Sequence, residues 1–238
     1  MELQEGMCFM KNSHLEILYE DNHVIVVYKR ENILSQKDST NDLDMLTMIK
    51  NYIKEKYQKP GNVYVGLIHR LDRPVSGVMV YAKTSKAASR ISEQVRTSNI
   101  EKQYLAVVNG ILPEKKGEFR DYLKKLETKN TIVTNEEDGK EAILNYEVLE
   151  EKENLSLVQI TLKTGRHHQI RVQFASRGFP LYGDQRYGKE DKKQIALSCY
   201  HLAFFHPITK EKMVFERYPD DDGIWREFSS LKKQLHNL

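Results

Sequence analysis

The residues of this 238-residue chain best suited to chemistry are His69-Arg70-Leu71-Asp72-Arg73-Pro74-Val75-Ser76-Gly77. A single acid stands between two arginines, behind an apolar run and ahead of a Pro and a Ser-Gly turn signal. That order puts a carboxylate at the edge of a sheet beside positive charge, which keeps it ionised. An ionised carboxylate can act as a nucleophile; the same residues also fit an aspartate that caps its turn and pairs with an arginine. A second concentration is Thr164-Gly165-Arg166-His167-His168-Gln169-Ile170-Arg171. His167-His168 could suggest metal ligation, but adjacent side chains on a helix point about 100° apart. No Cys or carboxylate motif completes a ligand set, so no metal site is expected.

Other chemistries lack their signatures. The chain has no Gly-x-x-x-x-Gly-Lys phosphate loop, dinucleotide glycine fingerprint, Gly-x-Ser-x-Gly elbow or His-Glu-x-x-His helix. Cys8 and Cys199 are far apart and belong to no ligand spacing, which disfavours a disulfide framework, a zinc finger or an iron–sulfur site and fits a reducing cytoplasm. No run approaches the roughly 18 apolar residues of a membrane span, and residues 1–11 lack a signal-peptide pattern. A cytoplasmic protein without membrane insertion is expected. The 37 Lys and Arg against 34 Asp and Glu leave a net charge of only +3, which by itself decides nothing. Its distribution says more. Residues 163–193 hold eight basic side chains (Lys163, Arg166, Arg171, Arg177, Arg186, Lys189, Lys192, Lys193) against three acids. Such a segment can face a polyanion or be an ordinary solvated surface.

These residues need a scaffold. With 39% hydrophobic and 30% charged residues and no repeat or linker, the chain reads as one continuous domain, 1–238. Residues 23–28 (HVIVVY), 63–71 and 77–82 read as buried strands. Leu43, Leu46, Ile49 and Ile53 recur at helical spacing, as do Ala88, Ile91 and Val95 behind a Ser85 N-cap. Residues 104–111 read as a strand, and 142–149 with 155–163 as a hairpin around a loop at 150–154. A short helix over 168–177 is stopped by Gly178 and Pro180. Strands at 197–206 and 212–218 and a closing helix at 225–235 complete the expectation. Hairpins interspersed with helices, without regular βαβ alternation, predict an α+β fold with a mixed, largely antiparallel sheet and flanking helices around a cleft.

The motifs also carry a family resemblance. Residues 69–77 with Val78-Met79-Val80-Tyr81-Ala82-Lys83 resemble the His-Arg-Leu-Asp-x-x-Thr-Ser-Gly signature of RluA-type pseudouridine synthases. Lys102-Gln103-Tyr104-Leu105-Ala106 is similar to that family's Lys-x-Tyr-x-Ala element. Residues 164–171, followed by Pro180-Leu181-Tyr182-Gly183-Asp184, resemble its Thr-Gly-Arg-x-His-Gln-Ile-Arg and Pro-x-x-Gly-Asp elements. Leu202-Ala203-Phe204-Phe205-His206-Pro207 resembles its late Leu-x-Phe-x-His-Pro strand. The ordered match spans about residues 15–218 and leaves no expected room for a separate N-terminal RNA-binding module. Two departures stand out. Lys29-Arg30-Glu31-Asn32 replaces the usual Lys-Pro-x-Gly, which predicts a different local loop conformation, and Val75 replaces the usual Thr.

The resemblance implies isomerisation of uridine to pseudouridine in ribosomal or transfer RNA: the N1–C1′ bond breaks, the uracil turns, and a C5–C1′ bond forms. Nothing is consumed, so no redox cofactor, nucleotide or metal is expected, and a monomer is the default. Asp72 would be the nucleophile, on the sugar or on the ring, with Arg171 as the cation that keeps it ionised and Arg166 as second choice. Tyr104 would be the platform under the extruded base, its hydroxyl assisting proton removal from C5. Arg70 would enter the stack the uridine left, Arg73 and Arg166 would meet phosphates, and His168 belongs with the RNA contacts. Ile170 would close the apolar wall beside the base, while His69 is structural. Two rivals predict otherwise: an RNA-binding protein that makes no product, and a chelator-sensitive hydrolase using His69, His167 and His168.

Overall fold

The computed structural model describes residues 15–189 and 192–231. Residues 24–29 and 76–82 are runs of apolar residues without the alternation of a half-exposed strand, so both of their faces must be covered. They form β2 (Val24–Lys29) and β4 (Ser76–Ala82), paired antiparallel and buried throughout. Ile25, Val27, Met79 and Tyr81 join one core with Met45, Ile49 and Ile53 of α1 (Met45–Lys56). Val24, Val26, Val78 and Val80 join a second core with Ile91 of α2 (Ser85–Arg96). The N-cap of α2 is Thr84, not Ser85: its hydroxyl accepts from Ala87 N–H at 3.1 Å, and Ala87 rather than Ala88 is buried.

Around this pair lie β1 (Glu16–Glu20), β3 (Gly66–Leu67), β5 (Glu101–Asn109), β6 (Lys116–Lys125), β7 (Thr131–Thr134), β8 (Lys140–Lys152), β9 (Leu155–Leu162), β10 (Leu197–Phe205) and β11 (Lys212–Glu216). They make one sheet in the order β1-β2-β4-β10-β5-β9-β8-β6-β7, with β11 on β10 and β3 on β4. Only β4 and β10 run parallel; every other pairing is antiparallel, which is the mixed α+β sheet expected. The third helix, α3 (Gln169–Ala175), sends Ile170 and Phe174 into the first core. No helix among the described residues is long and apolar enough to cross a membrane.

Four expectations change. The strand expected over 63–71 is reduced to Gly66–Leu67, because the chain leaves β4 beyond that pair. The hairpin loop at 150–154 is tighter, with β8 running to Lys152 before turning directly into β9. The closing helix opens with a 3₁₀ turn, Trp225–Glu227, turns helical from 229, and lies outside the described residues beyond 231. His168 is not helical: it sits at φ 52°, ψ 24° in the left-handed region, ahead of α3.

The parallel contact positions the site. Ser76 and Gly77 of β4 pair with Ser198 and Cys199 of β10, so the segments leading into both strands run side by side. Gly77, at φ 140°, permits this approach, since a Cβ there would lie 2.6 Å from the backbone of Cys199. One lead-in carries Asp72 and the other carries residues 193–196.

Candidate active site

Asp72 lies outside the sheet, yet its neighbours are pinned. Ser35 Oγ donates to Leu71 C=O at 2.8 Å and accepts from Leu71 N–H at 3.1 Å, replacing the strand partner that Leu71 lacks. Val75 N–H closes a turn on Asp72 C=O at 3.0 Å, and Val75 itself packs in the first core, where a methyl suits better than a hydroxyl. Lys29, fully buried, donates from Nζ to the carbonyls of Arg30, Ile33 and Arg73 at 3.1, 2.7 and 3.0 Å. Burial pulls its pKa down to about 7, against the opposing pull of Glu31 and Asp72. Asn32 takes φ 62°, a left-handed conformation that glycine enters most readily and asparagine tolerates. The Gly-to-Asn departure therefore does not oblige a different backbone there, contrary to the expectation.

The facing wall is α3 with the turn that follows it. Buried Gln169 accepts from Thr164 Oγ1 and Arg166 N–H, both at 2.9 Å, and donates to Ile143 C=O at 3.1 Å, which fixes the start of the helix. Arg171, two residues on, has a side chain only 7% exposed. Its Nε and Nη2 donate to the two oxygens of Asp184 at 2.8 and 2.7 Å, and its Nη1 donates to Asp72 Oδ2 at 3.1 Å. Asp184 is fully buried and also accepts from the N–H groups of Arg186 and Tyr187. Burial opposes charge on both partners, but their mutual hydrogen bonds outweigh it, raising Arg171 and lowering Asp184. The turn needs Gly183 at φ 70°, where a Cβ would lie 2.1 Å from Gln194 C=O.

His168 completes the wall. Its Nε2 lies 3.4 Å from Asp72 Oδ2, and its Nδ1 lies 2.8 Å from the Tyr187 hydroxyl. The His167 ring stacks on it at 3.7 Å between centroids, the opposite of the divergence a helical pair would show. Both contacts on Asp72 therefore reach one oxygen; among the described residues none donates a hydrogen bond to Oδ1. The side chain is 28% exposed and borders a cleft of about 760 Å³ lined also by Arg73, Arg171, Asp184, Arg186 and Lys193. Four cations and two carboxylates line this cleft, with Arg171 paired to both carboxylates and Arg73 to Asp42.

The other residues singled out in the sequence are placed as follows. Tyr104 is buried on β5, opposite Cys199 and Ile160, in the first core and not on the lining of the cleft. Burial, then Cys199 and Asp72, push its hydroxyl pKa well above 10. Ile170 is in the same core. Arg70 is exposed; Arg73 is exposed and pairs with Asp42 at 2.7 Å. Arg166 donates to Glu141 C=O at 2.8 Å, and Arg171, not Arg166, reaches Asp72. His69 is buried, its Nε2 accepting from Val80 N–H at 3.3 Å; burial, with Lys102 nearby, brings its pKa down to about 3. Sequence reasoning gave no role to Asp184, Tyr187, Ser35 or Lys29. Asp184 and Lys29 each stood in a recognised motif, which was a usable signal; Ser35 and Tyr187 had none.

Comparison with known proteins agrees. Residues 23–176 match the family model described as RNA pseudouridylate synthase. An uncharacterised RNA pseudouridine synthase of Bacillus subtilis, YhcT, is 35% identical over 213 residues, covering 87% of this chain and 70% of that protein. Ribosomal large subunit pseudouridine synthase C of Buchnera aphidicola is 32% identical over 218 residues, with 86% and 67% covered. Ribosomal large subunit pseudouridine synthase D of Haemophilus influenzae is 32% identical over 231 residues, with 89% and 69% covered. Among solved structures, Human RNA Pseudouridylate Synthase Domain Containing 4 superposes with a TM-score of 0.74 at 17% identity, covering 99% of this chain and 97% of that one. Domain Containing 1 gives 0.70 at 22%, covering 92% and 95%, so these two share the fold.

Proposed function

Since the chain belongs to the RluA-type family of RNA pseudouridine synthases, we propose that it isomerises uridines of ribosomal RNA with Asp72 as the nucleophile. The observation that carries this reading is the half-engaged carboxylate: Oδ2 is held by Arg171, while Oδ1 accepts from no described residue on a side chain that borders the cleft. Asp72 Oδ1 forms a C–O bond with the sugar or the uracil ring and the N1–C1′ bond breaks. The freed base turns, C5 bonds to C1′, the C5 proton leaves and N1 regains one. The carboxylate is released unchanged, so the sum of the steps consumes no cofactor.

The ring cannot react while stacked in a helix, so the uridine must swing out, at a cost of a few kcal/mol. Tyr104 is in the first core, with Asp72 among the groups that raise its hydroxyl pKa. Its raised pKa favours the role of a platform over that of a standing base, and an aromatic platform returns roughly 1 to 3 kcal/mol per base. Arg73 and Arg186 line the cleft and would meet phosphates of the flanking strand, and exposed Arg70 would occupy the vacated stack. Two relatives are ribosomal large-subunit enzymes by name, which favours ribosomal over transfer RNA.

Incubation with RNA carrying tritium at uridine C5 tests the reading, because the label leaves as the new bond is made. Release from large-subunit ribosomal RNA is expected. Release from transfer RNA alone would move the target, and tight binding of both RNAs without release would favour a protein that binds RNA without modifying it.

A further inference from the structure

Tyr187 makes a contact that the reaction, as set out so far, does not use. Its hydroxyl accepts a hydrogen bond from Thr131 N–H at 2.8 Å and lies 2.8 Å from His168 Nδ1. A hydroxyl whose oxygen accepts from the backbone still has its one proton to give, and Nδ1 is the acceptor within reach of it. A neutral imidazole that accepts at Nδ1 carries its own proton at Nε2. That nitrogen is the one facing Asp72 Oδ2 at 3.4 Å. Catalytic contacts of this length commonly shorten in the complex with substrate.

Taking Asp72 as the nucleophile, we propose that His168 and Tyr187 are positioning residues: the Tyr187 hydroxyl fixes the imidazole with its proton on Nε2. This N–H and the Arg171 guanidinium hold Asp72 Oδ2 from two sides, and Oδ1 is left as the attacking atom. The three parts are built as one unit. Asp184 binds Arg171 through both of its oxygens and also accepts from Tyr187 N–H, so a single buried carboxylate places both arms. The Arg171 guanidinium lies 5.3 Å from the centroid of the Tyr187 ring, and that ring meets His168 edge-on. Thr131 holds the outer layer, its Oγ1 lying 2.9 Å from His167 Nδ1 and its N–H bonded to Tyr187.

The charge environment supports a neutral imidazole. The ionisable groups around His168 are Asp72 on the β3–β4 loop, His167 beside it, Arg171 on α3, and Tyr187 and Arg186 on the turn after α3. Burial is the largest influence on its pKa; Asp72 acts against it, while Arg171, His167 and Arg186 reinforce it. The outcome is a pKa of about 4, which leaves the ring uncharged at neutral pH. A neutral donor steadies Oδ2 without adding a second full charge that would blunt the nucleophile.

The test joins a spectroscopic readout to kinetics. In the full chain labelled with ¹⁵N-histidine, with His168 assigned from the signals missing in His168→Gln, the expected state at pH 7 is a bare Nδ1 and a protonated Nε2. In Tyr187→Phe, which keeps the ring, the two tautomers should interconvert. Single-turnover label release should then fall by roughly 10²-fold, the cost of displacing a reacting group by about 1 Å, while KM for RNA stays within about twofold. His168→Gln, whose amide can donate to Oδ2, should recover part of the rate lost in His168→Ala. A protonated Nδ1 or an imidazolium in the wild-type chain overturns the proposal, as does a Tyr187→Phe effect confined to KM or equal rates for His168→Gln and His168→Ala. Failure of the nucleophile assignment is seen separately, as full activity in Asp72→Asn.

Discussion

Two carboxylates of this molecule face basic and hydroxyl groups, and they meet them in different ways. Glu20, on β1, has a side chain only 6% exposed. Its Oε1 accepts from Lys83 at 2.5 Å and Tyr57 at 3.0 Å, and its Oε2 from Lys56 at 2.7 Å and Tyr52 at 2.9 Å. Both oxygens are saturated. Burial works against ionisation there, but the four donors overcome it and bring the pKa down to about 2. Asp72 has Arg171 and His168 on one oxygen only, and the other accepts from no described residue. A carboxylate with every lone pair engaged stabilises the fold and has nothing left to react with. One held by a single oxygen retains a nucleophile, and the strong pairing is moved one step back, to Arg171 and Asp184.

Exchanging charge for an isosteric amide should separate the two roles. Asp72→Asn should lower turnover by at least about 10⁴-fold, as expected for a lost nucleophile, with little change in the denaturation midpoint, because the side chain is partly exposed and makes one hydrogen bond. A rate loss below tenfold would erase the distinction. Asp184→Ala combines both effects: it leaves the buried Arg171 guanidinium without its main partner, so chemical denaturation should show a loss of about 3 to 5 kcal/mol, and the folded fraction should turn over slowly.

Glu20→Gln should give the smallest change, roughly 2 kcal/mol of stability at pH 7, with turnover per folded molecule unchanged. Its sign against pH is fixed. The folded-state pKa is depressed from about 4.5 to about 2, so the stabilisation is complete above pH 4.5 and fades as pH falls through 2. Denaturation curves of wild type and Glu20→Gln should converge toward pH 2; a constant gap would mean that packing rather than charge supplies the difference.

The same contrast marks what the sequence could disclose. The apolar runs of β2 and β4 were legible because both faces are buried, and the Asp72 and Arg171 segments because their residue types and order are unusual. Strands β6 and β7 were not: in residues 116–125 only Phe119 and Leu123 are buried, so no period-two pattern stands out from the charges. Residues 63–71 read as strand because the run is largely apolar, yet at its end Ser35 satisfies the Leu71 backbone in place of a neighbouring strand. Ser35, Lys29 and Tyr187 act through contacts across 36, 44 and 56 positions of the chain, which no local pattern encodes.

The most direct measurement is to quench a single-turnover reaction with RNA, digest both polymers and map any nucleotide-linked peptide by mass spectrometry. The account predicts a transient ester on the peptide containing Asp72, formed before label release is complete and absent in Asp72→Asn. An adduct on another side chain, or one that persists in Asp72→Asn together with turnover, would contradict it.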